Sequence, residues 1–100
     1  MSTPEITVQE FAALQQTNSK FFLLDVRRPD EYAEYNLQGH LIPLDELPDR
    51  LNEIPQNLPI IVHCRSGGRS ATATEFLLHE GFTNVKNLVG GVESWKRLST

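Results

Sequence analysis

The residues of this sequence best suited to joint chemistry lie in one short loop that begins at Cys64. The loop and the residue that closes it combine a thiol, two guanidinium groups, two hydroxyl groups and two glycines: Cys64, Arg65, Ser66, Gly67, Gly68, Arg69 and Ser70. A cysteine attacks as its thiolate, and a helix N-terminus or a nearby Arg lowers its pKa from about 8.5 to roughly 3.5–7.5. The loop therefore predicts a nucleophilic thiolate at Cys64, with the six following residues binding the substrate.

The segments on either side of the loop predict how it is held. Ile60–Val62 is a short β-branched run that indicates a buried strand, and Ala71–Leu78 is typical of a helix, with Ser70 as its predicted N-cap. A helix start supplies free amides and partial positive charge, and Gly67 and Gly68 can turn further amides inward. The alternative interpretation is an inert buried cysteine, an ordinary turn and two solvated arginines. The order of the residues favours an anion cradle at the edge of a sheet, where ligands bind.

The rest of the chain alternates between strand and helix patterns. Phe21–Leu24 is a continuous apolar run, as in a strand covered on both faces, and Val85–Val89 predicts the last strand. Thr7 and Glu10 have the spacing of a capping box for a first helix, and Asp45–Ile54 predicts one or two helical turns. This alternation predicts an α/β fold with a parallel sheet and helices on both faces.

Three segments resemble the rhodanese family of sulfurtransferases, and together they cover nearly the whole chain in the family's order. They are Leu24–Arg27 with Glu31 and Tyr32, then His63–Ser70, then Gly90–Val92 with Trp95. The resemblance implies a single rhodanese-like domain over residues 1–100. It also implies a three-layer arrangement, with about five parallel strands between helices on both faces.

The charged residues after the second predicted strand are interpreted as structural. The resemblance implies a hydrogen-bonding role for Asp25, because a carboxylate at the end of a buried strand needs partners. Arg27 and Arg28 either help to bind anions or pair with nearby carboxylates, and pairing with Asp30, Glu31 or Glu34 is the favoured expectation. The segment Gly39–Pro43 is shorter than the family's usual pattern, which leaves the selectivity of that pocket wall open. His40, inside this segment, either faces the site or is structural.

The resemblance implies sulfur transfer through a persulfide on Cys64. The thiolate takes sulfur from a small anionic donor such as thiosulfate and passes it to an acceptor, cyanide or a thiol, with no metal or other cofactor. Main-chain amides of residues 65–70 hold the charge on the sulfur. Arg65 and Arg69 attract the donor, and Ser66 is a candidate for a further hydrogen bond.

Three alternatives stand beside this interpretation. A persulfide carrier or sensor module accepts sulfur from a partner sulfur-carrier protein and turns over thiosulfate poorly. A rhodanese-like phosphatase or an arsenate reductase is disfavoured, because those phosphatases have a longer loop, whereas four residues separate Cys64 from Arg69 here. A non-catalytic interaction domain is disfavoured by the intact cysteine and the glycine-rich loop.

Composition limits the partners and the location. The formal net charge of −4 disfavours nucleic acid or an anionic membrane as a partner. The chain has one Cys and three His, so it can form no internal disulfide, and it shows no zinc-ligand spacing. Met1–Glu10 lacks a signal-peptide pattern and no apolar run approaches membrane-spanning length, so a cytoplasmic location is expected.

Overall fold

A parallel sheet of five strands forms the centre of the protein, in the order β1-β5-β4-β2-β3. The structure is a computed structural model that describes residues 3–98, so the ends of the predicted 1–100 domain lie outside the described residues. The strands are β1 (Glu5–Ile6), β2 (Phe22–Asp25), β3 (His40–Leu41), β4 (Ile60–His63) and β5 (Val85–Leu88). The predicted parallel α/β fold is confirmed, and β4 lies at its centre with β5 and β2 as neighbours.

Helices connect the strands. They are α1 (Val8–Gln15), α2 (Pro29–Glu34), α3 (Gly68–His79) and α4 (Gly91–Leu98), with short 3₁₀ helices at Leu44–Asp49 and Leu51–Glu53. The two 3₁₀ helices occupy the predicted helical region, where Pro48 lacks the amide hydrogen that a longer α-helix would need. Within the described residues, no helix is both long enough and apolar enough to cross a membrane.

The two faces of the sheet are covered by separate apolar clusters. On one face, Phe11 of α1 packs edge-on against Trp95 of α4, with ring centroids 5.5 Å apart, and Ile61 lies in the same cluster. On the other face, Ala73 and Leu77 of α3 pack among the buried side chains of β2 and β4. Every residue of β4 is buried, so the carboxyl end of this strand is held from both sides.

The helix ends show how local sequence sets these elements. Thr7 and Glu10 form the predicted capping box at the start of α1. The prediction that Ser70 caps α3 is wrong, because the helix begins at Gly68 and its N-cap is Gly67, which has a φ of 109° that glycine tolerates best. Ser70 therefore lies inside the first turn, where its side chain is fully buried.

Candidate functional site

Cys64 follows the last residue of β4, and its side chain is only 1% exposed. Its sulfur receives hydrogen bonds from the Gly67 amide at 3.1 Å, the Ser70 amide at 3.4 Å and the Ser70 hydroxyl at 3.3 Å. The donors come from a tight turn and the first turn of α3, where amides lack partners within the helix. The loop thus places main-chain amides around the sulfur, as the sequence predicts, and adds the Ser70 hydroxyl, which was not predicted as a donor to it.

Burial and hydrogen bonding act on the thiol in opposite directions. Burial raises the pKa of Cys64, whereas hydrogen bonds from the Ser70 hydroxyl and from the amides of Ser70, Gly67 and Ser66 lower it. The hydrogen bonds outweigh burial, so the pKa of Cys64 lies below its ordinary value. The Ser66 amide is among the groups that lower this pKa, and its side chain is exposed, so the hydrogen bond predicted from Ser66 to the substrate stays a prediction.

Helix α4 fixes the other side of the loop. The amides of Val92 and Glu93 donate to the carbonyl oxygens of Cys64 and Arg65, each at 3.0 Å. A Cβ on Gly91 would lie 2.3 Å from the Cys64 carbonyl oxygen, so a larger residue there would push the helix away from the loop. Gly91, the first residue of α4, therefore allows a close approach of the helix to the backbone at Cys64.

Asn87 is a site residue that the sequence reasoning missed. It lies in β5, 4% exposed, and its side-chain amide donates to the Gly67 carbonyl at 3.3 Å while its oxygen accepts from the Ser70 hydroxyl at 2.5 Å. The Ser70 hydroxyl has one hydrogen and two acceptors, Cys64 and Asn87, so the two compete for it. The available signal was a polar amide within an apolar strand, which must find partners when buried.

The two arginines of the loop are already paired with carboxylates. Arg69 forms a two-pronged contact with Glu31, at 2.7 and 2.9 Å, and Arg65 contacts Glu93 at 3.1 Å. Hydrogen bonds from Arg69 hold the pKa of Glu31 at about 2, so this carboxylate stays ionised at neutral pH. The prediction that both arginines attract an anionic donor stays a prediction, and in this structure each guanidinium has a carboxylate partner.

Asp25 has the predicted hydrogen-bonding role. Its carboxylate accepts from the backbone N–H of Arg27 at 3.0 Å and from the Arg27 side chain at 2.8 Å, and both side chains are buried. The expected pairing of Arg27 with Asp30, Glu31 or Glu34 is wrong, because Asp25 is nearer in the fold. Arg28 does pair with Asp30, at 3.1 Å on the surface.

Two histidines lie near these elements without contacting the sulfur. His63 is fully buried, its Nε2 is 3.6 Å from Asp25, and burial lowers the pKa of its imidazole. His40 contacts Glu53 at 2.7 Å and the ring of Phe22, so its observed partners are structural. Beyond His40, the short segment ends at Pro43, which lines a shallow pocket shared with Arg28, Leu44 and Arg69.

Comparison with known proteins agrees with this arrangement. The Rhodanese-like domain family matches residues 7–98. A protein of Allochromatium vinosum described as a sulfurtransferase is 38% identical over 76 residues, 75% of this chain and 71% of that protein. A putative sulfur carrier protein of Bacillus subtilis, YrkF, is 36% identical over 94% of this chain and 51% of its own length, so this chain spans about half of it. A rhodanese-like domain protein from Staphylococcus aureus has a TM-score of 0.86 at 32% identity, covering 93% of this chain and 91% of that protein.

Proposed function

The chain belongs to the rhodanese-like domain family, and from that premise we propose that it is a sulfurtransferase that carries sulfur as a persulfide on Cys64. The observation that carries the proposal is the set of donors around the sulfur, two amides and one hydroxyl within 3.4 Å. These donors favour a thiolate before reaction. In the proposal, the same donors also stabilise the negative charge of the persulfide formed on this sulfur.

The reaction has two steps with one covalent intermediate. First, the Cys64 thiolate attacks the outer sulfur of a donor such as thiosulfate; the donor's S–S bond breaks, and sulfite leaves with the electron pair. Second, cyanide or a thiolate attacks the outer sulfur of the persulfide, and the Cys64 thiolate leaves. The amides of Gly67 and Ser70 stabilise the charged sulfur in both states. No general base is required, because the attacking group is already deprotonated.

A persulfide carrier or sensor module is the second candidate, and one observation favours it. Both loop arginines are neutralised by Glu31 and Glu93, which weakens the attraction of the loop for a small anion. The Bacillus subtilis relative described as a putative sulfur carrier is consistent with a carrier role.

The partners proposed are a small anionic donor, a thiol or cyanide acceptor and a sulfur-carrier protein. A reducing location such as the cytoplasm suits a thiol that must stay unoxidised.

Phosphatase and arsenate reductase activities fit the loop less well. A phosphate or arsenate group is tetrahedral and requires a loop wide enough to surround its oxygens. Here four residues separate Cys64 from Arg69, and the amides of the loop converge on the sulfur itself. The loop therefore suits a single additional sulfur atom better than a tetrahedral oxyanion.

Intact mass spectrometry tests the proposal. Wild type and Cys64→Ser are each treated with thiosulfate and, separately, with glutathione persulfide, then desalted and weighed. Wild type is expected to gain one sulfur with at least one of these donors and to lose it on addition of cyanide, whereas Cys64→Ser gains none. Labelling of both proteins, or of neither by either donor, contradicts the proposed function. Steady-state thiosulfate:cyanide turnover then separates an efficient sulfurtransferase from a carrier that loads but turns over slowly.

A further inference from the structure

Resting on the proposed sulfur transfer, we propose that Glu31 is a specificity-determining residue that withholds Arg69 from small anionic donors. The site then takes sulfur preferentially from a thiol persulfide, whose leaving part carries no charge before the reaction, and disfavours free thiosulfate. The argument begins with the contact between the two residues. Glu31 lies in the first turn of α2 and Arg69 in the first turn of α3, so the pair joins the two helices beside the loop.

The contact is bidentate: both terminal nitrogens of Arg69 bond to the two carboxylate oxygens of Glu31. Nη1 and Nη2 of Arg69 lie 2.7 and 2.9 Å from Oε1 and Oε2 of Glu31. Paired contacts of this kind are stronger and more directional than a single ion pair. The side chains are 33% and 15% exposed, respectively, so salt and water screen them less than a surface pair. A donor that needs the Arg69 guanidinium must therefore compete with a carboxylate that is already in place.

The backbone holds Glu31 in position. Its Oε1 also accepts the amide N–H of Arg28 at 3.0 Å, which caps the start of α2. The carboxylate is thus anchored at one oxygen by the helix that carries it. The second pair in the loop, Arg65 with Glu93, is weaker by comparison, because its side chains are 69% and 41% exposed.

Charge then separates the two classes of donor. Thiosulfate is a dianion whose sulfite oxygens favour cationic partners, and the less exposed of the two loop guanidinium groups, that of Arg69, is already held by Glu31. A protonated thiol persulfide, R–S–SH, needs no such partner. The Cys64 thiolate attacks its terminal sulfur, the R–S to S bond breaks, and the electron pair leaves with R–S⁻ while the proton stays on the transferred sulfur. Only the amide cradle around Cys64 is required in this reaction.

Glu31→Gln tests the inference with a minimal change. The amide oxygen of Gln can still accept the Arg28 N–H and cap α2, but the negative charge that pairs with the Arg69 guanidinium is removed. Asp30→Asn is the matched control, since it removes the same charge from the adjacent residue, whose pair with Arg28 is exposed. Circular dichroism and thermal melting establish that each variant is folded. If Glu31→Gln does not fold, Glu31→Asp withdraws the carboxylate by one methylene and is used in its place.

The measurement is the second-order rate constant for single-turnover persulfide formation with thiosulfate and with the persulfide of an uncharged thiol, 2-mercaptoethanol. In Glu31→Gln the thiosulfate constant is expected to rise roughly tenfold, as for one modest charge-assisted contact, with little change for the persulfide donor. The gain should disappear in a Glu31→Gln/Arg69→Gln double variant and be absent from Asp30→Asn. An unchanged ratio of the two constants, in a wild type that loads from the persulfide, overturns the specificity role alone. Failure of every protein to load from either donor overturns the proposed sulfur transfer as well.

Discussion

Replacing Ser70 with alanine is expected to raise the pKa of Cys64 and to slow alkylation below that pKa about tenfold, and the size of the effect follows from the contacts. A hydrogen bond to a charged group contributes about 1.5–3 kcal/mol, and one pKa unit corresponds to about 1.4 kcal/mol. The Ser70 hydroxyl lies 3.3 Å from the sulfur and shares its single hydrogen with Asn87, so the lower end of that range applies. The amides of Gly67 and Ser70 remain, which limits the shift.

The pH dependence of iodoacetamide alkylation measures this shift, because only the thiolate reacts appreciably. Ser66→Ala is the matched control, since the same hydroxyl is removed from an exposed side chain in the same loop. Ser70→Ala is expected to move the midpoint of the alkylation profile upward, and Ser66→Ala to leave it in place. An unchanged midpoint in folded Ser70→Ala, or an equal shift in Ser66→Ala, would refute the view that this hydroxyl stabilises the thiolate.

The same shift has a consequence for stability. The pKa of Cys64 is lower in the folded protein than its ordinary value, so the ionised thiol contributes stability above the unfolded pKa. That contribution is lost as the pH falls through the folded pKa. Ser70→Ala removes part of it, and the difference in denaturation midpoint from wild type should be larger at alkaline pH than at neutral pH. A constant background loss is also expected, since the buried Asn87 oxygen is left without its donor.

Two further predictions concern the scaffold, and urea denaturation measures both. Gly67→Ala should destabilise the protein by about 1–2 kcal/mol, because residue 67 has a φ of 109°. Gly68→Ala is the control: residue 68 is helical and a Cβ there meets no neighbour, so the change should be neutral or slightly stabilising. Equal losses of stability in the two variants would contradict this prediction. Asp25→Asn should lower the free energy of unfolding by about 3–5 kcal/mol, because it leaves the buried Arg27 guanidinium without its charge partner. The folded fraction should still form persulfide. A loss of persulfide formation with unchanged stability would instead indicate that Asp25 takes part in the reaction.

Features encoded within a few residues were predictable from the sequence. The β-branched run at Ile60–Val62 predicted the central strand, and the Thr7 to Glu10 spacing predicted the first helix cap. Gly81 adopts a φ of 102° after α3, and the Phe82 amide bonds back to Leu77, as expected for a glycine at the end of a helix. Each of these features depends on the backbone preferences of a few neighbouring residues, so it can be predicted without knowledge of the rest of the fold.

The contacts that define the site in detail depend on distant residues. Glu31 and Arg69 are 38 residues apart, and Asn87 reaches Ser70 from a strand 17 residues further along the chain. Neither pairing has a sequence signature, because both exist only once the strands of the sheet are in order. The predicted start of α3 was wrong for a related reason. Ser70 is a favourable N-cap residue type, but the turn at Gly67 starts the helix earlier, and the Ser70 hydroxyl then donates to the Cys64 sulfur.

Two backbone hydrogen bonds make the orientation of the Cys64 loop depend on α4, a segment that follows it in the chain. The carbonyls of Cys64 and Arg65 are tied down by amides from the last helix. During synthesis, the nucleophile therefore emerges well before the segment that orients its surroundings. A polypeptide that lacks α4 is therefore expected to lose these two backbone contacts, and with them the fixed orientation of the loop that carries Cys64.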